Sequence, residues 1–170
     1  MISEGEREGA FWASSLRLYK VFGVQQVLLR LQDEEGADIA TILYILWRVT
    51  CGFRLDRAEL IRLIELIHAW RDQVVWPLRT VQRAIKAMNE DFPGAAALRE
   101  RVKGVELEAE YLLHTAMEAH SVDAQGKPEP SAACAAGAGL LAYSALIGFK
   151  LRDAECSLLV RSLDAGRTRS

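Results

Sequence analysis

Apolar residues recur along most of this chain at spacings of three and four, the period of a helix with one buried face. No run alternates strictly between apolar and polar, and no Asn-Gly or Asp-Gly pair marks a hairpin. One stretch breaks the amphipathic pattern. From Ile39 to Val49 the residues are apolar almost all the way round, with Arg48 as the only charge. A helix without a polar face must be covered on every side, so the pattern predicts Ile39–Val49 as the central helix of a bundle. The polar turn before it suits that role. Gly36 fits the left-handed position that ends a helix. The Asp38 carboxylate can accept the free amides of the next first turn.

The other helices follow in order. Phe11, Ser15, Leu18 and Phe22 fall on one side of a first helix, and Trp12, Leu16 and Tyr19 widen that stripe. Val24, Val27, Leu28 and Leu31 begin a second, short one. Gly52 ends the central helix, and Asp56 and Glu59 have the spacing of a capping box. The next helix turns Leu60, Leu63, Ile64, Ile67 and Trp70 inward. Pro77 fits the first turn of a new helix with Leu78, Val81, Ile85 and Met88 inward, ending at Asp91–Gly94. Leu98, Val102, Val105, Ala109, Leu112, Ala116 and Ala119 then form a narrow seam that predicts a close helical neighbour. Ser121–Pro130 reads as a polar loop, Ala132–Phe149 as an Ala- and Gly-rich helix, and Asp153–Leu163 as a last helix. The expected fold is all-α: a single-domain helical bundle over residues 1–170, frayed at 1–8 and 165–170.

Composition narrows the function classes. A length of 170 residues allows one full-sized core. A net charge of -2 gives no basic excess for nucleic acid or an anionic membrane, so neither is expected as a partner. The opening MISEGEREGAFW is acidic and lacks the apolar core of a secretory signal. Three scattered cysteines with no CxxC pair argue against a zinc or dithiol site and for a reducing cytoplasm. Ala132–Phe149 approaches the length of a membrane span, but its Ala and Gly content favours a buried helix. There Ala133, Gly137 and Gly139 would let another backbone come close.

Several segments resemble a known pattern: FW near the start, LQDEEGADIATILYILW, WRDQVVWPLRTVQRAIK and VELEAE. Together they resemble an uncharacterised proteobacterial family of small helical proteins, a domain of unknown function. The likeness runs from Phe11 to about Glu110 and is looser in the Ala-rich C-terminal part. The LQD…G-x-D segment followed by an apolar helix ending in Trp is its most specific piece. In that pattern Asn commonly stands where this chain has Ala40, and a second Arg where it has Gln82. The resemblance implies a helical fold and a bacterial cytoplasmic setting, and it carries no catalytic residue.

Four constellations could carry chemistry. Asp33, Glu34, Glu35 and Asp38, beside Gln32, could hold a hard cation, but the spacing is not that of a calcium loop. The simpler reading has Asp38 capping a helix, Asp33 tying the turn, and Glu34 and Glu35 facing water. Glu65, His68 and Asp72 share a helix face as metal ligands would, but a di-iron bundle needs two Glu-x-x-His motifs and this chain has one. No metal and no cofactor are therefore expected. The third constellation is the most informative: Arg79, Arg83 and Lys86 on one helix, and Glu106, Glu110, His114 and Glu118 at steps of four on the next. In an antiparallel hairpin Arg83 would face Glu106 and Arg79 would face Glu110. That reads first as a structural ladder, and otherwise as a polar or anion-binding pocket. The fourth is the small-residue helix described above.

No nucleophile elbow, phosphate loop or dinucleotide fingerprint is present in the sequence. Two functions follow. The leading one is a small protein that acts by interaction or regulation through an unidentified protein partner, with a homo-oligomer also open. The other is an enzyme or small-ligand carrier with a site inside the bundle. That site would be built from Asp33, Asp38, Arg79, Arg83, Glu106 and Glu110 around an apolar wall including Trp47 and Trp70. They are told apart by whether the charged residues converge on a cavity or spread over a convex surface.

Overall fold

A computed structural model describes residues 9–88, 91–123, 127–128 and 131–165. The ends expected to fray, 1–8 and 166–170, lie outside the described residues, while Ala165 closes the last helix. The fold is all-α. Its helices are α1 (Ala10–Tyr19), α2 (Val24–Glu35), α3 (Ile39–Thr50), α4 (Arg57–Trp70), α5 (Trp76–Ala87), α6 (Ala95–Asp123), α7 (Ala132–Ile147) and α8 (Asp153–Ala165). Phe53–Arg54 and Lys127–Pro128 pair as two-residue antiparallel strands, which the sequence pattern did not announce. The expected polar loop is correspondingly shorter, because α6 continues to Asp123. No helix among the described residues is long and apolar enough to cross a membrane.

The centre is where the pattern places it. Every residue of α3 from Ala40 to Val49 is buried, and α1, α2, α7 and α8 pack around it. Arg48, the one charge, is covered with its guanidinium 4.7 Å above the Phe53 ring. Both predicted signals at the start of α3 form. Gly36 takes φ 72°, and the Asp38 Oδ2 accepts from Thr41 N at 2.8 Å and Thr41 Oγ1 at 2.7 Å. The Asp38 amide in turn donates to the Tyr143 hydroxyl of α7 at 3.0 Å. The capping box of Asp56 and Glu59 is also present.

α7 approaches α3 through small residues, as expected; of the three named, Gly139 makes the approach and Ala133 and Gly137 do not. Ala135, Ala136 and Gly139 are buried, whereas Ala133 is exposed and Gly137 faces open space. A Cβ at Gly139 would stand 2.7 Å from Ile45 Cγ2, so only glycine allows this helix spacing.

Two expectations fail for identifiable reasons, and a third holds with a difference. Phe22 is 94% exposed, because α1 stops at Tyr19 and the turn at Gly23 swings Phe22 off the stripe. Pro77 does sit in the first turn of α5, but the chain does not break before it. A wide π-type turn, Arg71–Val75, joins α4 to α5 and accommodates the amide that proline lacks. The apolar seam of α6 mostly faces outward: Leu98, Val105 and Leu112 are exposed, while Glu106, Ala109, Leu113, His114 and Met117 are buried. On α5 Val81 is likewise exposed, as is Met88 just past its end, and the helix has no buried residue.

α8 is fastened to α2 by a cluster that the sequence did not advertise. Arg30 Nε donates to Glu155 Oε1 at 2.5 Å and Arg30 Nη2 to Glu155 Oε2 at 2.7 Å, a forked pair. Arg30 also reaches Glu35 at 3.0 Å, and Glu35 accepts from the Lys150 amide. Glu35 therefore ties two segments together instead of facing water. Burial raises the Glu155 carboxyl pKa, but the bonds from Arg30 and the Arg152 amide outweigh it and the net shift is downward. A depressed folded-state pKa means that this contribution is present above the ordinary value of 4.5 and is lost as pH falls through the folded value. Glu155→Gln should lower stability at pH 7 by about 1–3 kcal/mol and flatten the acid side of the stability curve. Urea unfolding at several pH values below 5 reads this directly; equal slopes for the two proteins would be the contrary result.

Candidate functional site

The long helix α6 brings its polar stripe, not its apolar seam, to face α1 and α5. Arg79 of α5 sits between two of its carboxylates, with Nε donating to Glu106 Oε1 at 2.8 Å and Nη2 donating to Glu110 Oε1. The predicted register is thus wrong by one partner. Arg79 takes both glutamates, while Arg83 turns away to Asp33 of α2 at 2.7 Å. A guanidinium presents donors on a planar fork, so one arginine spans two carboxylates a helical turn apart.

Beside this cluster lies a cavity of about 270 Å³ between α1, the start of α3, α5 and α6. Its aromatic walls are Trp12, Tyr19 and Trp76; its polar walls are Ser15, Gln32, Asp38, Arg79, Glu110 and His114. Of the six residues singled out from sequence, Asp38, Arg79 and Glu110 line the cavity. Glu106 holds Arg79, and Asp33 and Arg83 lie in an adjoining shallow depression with Trp76 and Thr80. The expected apolar wall is different. Trp47 belongs to the core beside Phe11 and Tyr44, and Trp70 faces another groove and donates to the Ala109 carbonyl at 3.1 Å. Trp12 and Trp76 take their place.

The electrostatics of the cavity follow from its burial. Desolvation raises the Glu110 carboxyl pKa; Arg79 opposes this and Glu106 reinforces it, with a net upward shift. Burial, helped by Glu110, pushes the Tyr19 hydroxyl up to about 12. His114 is buried, stacked on Phe11 with ring centroids 4.4 Å apart and set edge-on to Trp12. Burial lowers its pKa, which favours the neutral ring. Its Nδ1 lies 2.8 Å from the Glu110 carbonyl, so Nδ1 carries the proton and Nε2 is left as an acceptor. Neither His114 Nε2 nor Ser15 Oγ meets a protein partner, although both atoms are buried. Among the described residues, no group of three His, Cys, Asp or Glu side chains is placed to hold a metal ion. Glu65, His68 and Asp72 are exposed on α4 and the turn after it.

Glu118, the last member of the polar stripe, holds α1 in place. Its two oxygens accept the Ala10 amide at 3.0 Å and the Phe11 amide at 3.1 Å, a cap supplied from another helix. Gly9 makes this possible: at φ 146° it adopts a backbone that favours glycine, and a Cβ there would lie 2.9 Å from Glu118 Oε2. Because α1 carries Trp12, Ser15 and Tyr19, this cap positions one wall of the cavity. Glu118→Ala should cost about 1–2 kcal/mol in denaturant unfolding, with Glu118→Gln retaining part of it.

His114 was named on the polar stripe but not among the candidate site residues, and Ser15 was placed only on a core stripe, because a lone histidine and a serine carry no motif. The available signal was the step-of-four series Glu106, Glu110, His114, Glu118. Four titratable residues on one stripe of a helix mark either a solvated face or a built polar site, and here burial decides for the second.

The family model described as "Protein of unknown function (DUF2390)" matches residues 10–117, and the chain belongs to that family. Every residue lining the cavity falls within the matched segment, whereas α7 and α8 lie outside it. No curated protein and no solved structure matches the chain.

Proposed function

We propose that this DUF2390 protein binds a small molecule in the cavity between α1, α3, α5 and α6, as a carrier, sensor or enzyme. The observation that carries this reading is convergence. Asp38 at the N-cap of α3, Arg79 of α5, and Glu110 and His114 of α6 come to one concave, aromatic-walled space. Few polar groups in a mostly apolar concavity is the usual build of a small-ligand site. The unpartnered Ser15 Oγ and His114 Nε2 support it, since buried polar atoms normally find partners. A proteobacterial, cytoplasmic setting belongs to the same reading and rests on the sequence pattern and the scattered cysteines.

A thermal-shift screen against metabolites tests it, because a ligand selective for the folded state raises stability. Ala40 lines the cavity, and Ala40→Met should fill part of it. The expected result is a ligand that raises the melting temperature of the natural chain and not of Ala40→Met. Equal responses from both proteins would remove the cavity from the account.

A second reading, action through a protein partner, is favoured by one observation. Leu98, Val105 and Leu112 are exposed at seven-residue intervals on α6, and Val81 of α5 and Met88 at its C-cap are exposed as well. If a partner docks there, Leu98→Glu with Val105→Glu should abolish its binding without altering ligand response in the screen.

A further inference from the structure

We propose that the cavity takes an organic cation: a compound with an ammonium or similar N–H-bearing head on a small apolar or aromatic body. This rests on the reading of the cavity as a ligand site and names the chemistry of its occupant. The argument begins with charge. Asp38 and Glu110 line the space against one guanidinium, Arg79, and that guanidinium is already bonded to Glu106 and Glu110. The neighbouring cations are committed as well. Arg83 is paired with Asp33 at 2.7 Å, and Arg71 is bonded to Asp72 at 2.8 Å and lies over Trp76. An anion would therefore have to compete with carboxylates for Arg79.

Hydrogen-bonding capacity points the same way. Asp38 lines the space and has capacity beyond the two bonds that its Oδ2 accepts, so a ligand that supplies N–H donors matches it. Burial raises the pKa of Glu110, so a cation delivered beside it would relieve the cost of its ionised form. The walls agree with this. Trp12, Tyr19 and Trp76 line the space, and aromatic rings suit an apolar body and attract a desolvated cation. A volume of about 270 Å³ lies near the lower end of ligand-pocket sizes and has room for a small aromatic amine.

Isothermal titration calorimetry with three probes of one shape tests the idea: phenethylamine, 2-phenylethanol and 3-phenylpropanoate. Phenethylamine should bind about tenfold or more tighter than the other two. Asp38→Asn keeps a good helix cap and Glu110→Gln keeps the side-chain shape, so both should fold, as circular dichroism would check. Each should erase the preference for the amine over 2-phenylethanol. Tighter binding of the propanoate or the alcohol would overturn the cationic assignment and leave the cavity reading standing. Binding of all three that Ala40→Met does not weaken would overturn the cavity reading itself. No binding of any probe at millimolar concentration would overturn both.

Discussion

Replacing Leu46 by Ala should lower stability by about 2–5 kcal/mol, the range for a buried leucine whose surroundings relax only in part. In a chain of this length that is a fall in melting temperature of about 4–20 °C. Leu46 is fully buried in α3 and belongs to the main hydrophobic cluster. Leu43, one turn earlier, differs in a useful way: it is 2% exposed and also forms a wall of the cavity. Leu43→Ala should cost a similar amount and in addition enlarge the cavity, so its effect on ligand response should exceed that of Leu46→Ala. A denaturation midpoint unmoved by both substitutions would remove α3 from the centre of the bundle.

Arg79→Ala should cost about 2–4 kcal/mol, less than the full loss for a completely buried pair because some solvent reaches the cluster. The Arg79, Glu106 and Glu110 side chains keep 19%, 12% and 29% of their exposure. Most of the cost is the exposure of two carboxylates to each other without a counter-ion. Arg79→Met combined with Glu106→Gln and Glu110→Gln should therefore recover a large part of it. Arg79→Lys should recover little, because a point charge cannot fork to two carboxylates. The contrast is Arg83 with Asp33, whose side chains are 56% and 46% exposed. A double-mutant cycle there should give under about 1 kcal/mol of coupling, and a cycle on Arg83 and Glu106 should give about none. Strong coupling between Arg83 and Glu106 would restore the ladder that the sequence first indicated.

Which parts of this molecule were legible in the sequence depends on what each residue needed to specify. α3 was legible because an all-round apolar helix has one physical solution, and Gly36, Asp38, Asp56 and Glu59 act within a few residues of themselves. The hairpin of α5 and α6 was legible from a short turn and two complementary charge stripes. Its register was not, because arginine reaches far enough for several pairings to satisfy the same charges. The orientation of α6 was misread for a related reason. Its apolar seam and its polar stripe compete for the interior, and tertiary context chose the stripe, which caps α1 and holds Arg79. The Arg30 and Glu155 clamp spans 125 positions, and no local pattern can announce such a pair. The cavity was half legible: its charges were named in advance, while of its aromatic walls Trp12 was placed on the stripe of a core helix and Trp76 was given no role.

The four tryptophans make the central claim directly measurable. Trp12 and Trp76 line the cavity, Trp47 lies in the core, and Trp70 borders the separate groove of Leu66, Ile67 and Leu112. The indole N–H signals of ¹⁵N-labelled protein should be followed while phenethylamine, and separately 3-phenylpropanoate, is added. Whichever probe binds, saturable shifts are expected at Trp12 and Trp76, with Trp70 unmoved. Shifts at Trp70 with Trp12 and Trp76 silent would contradict the account and place binding on the outer face of α4 and α6.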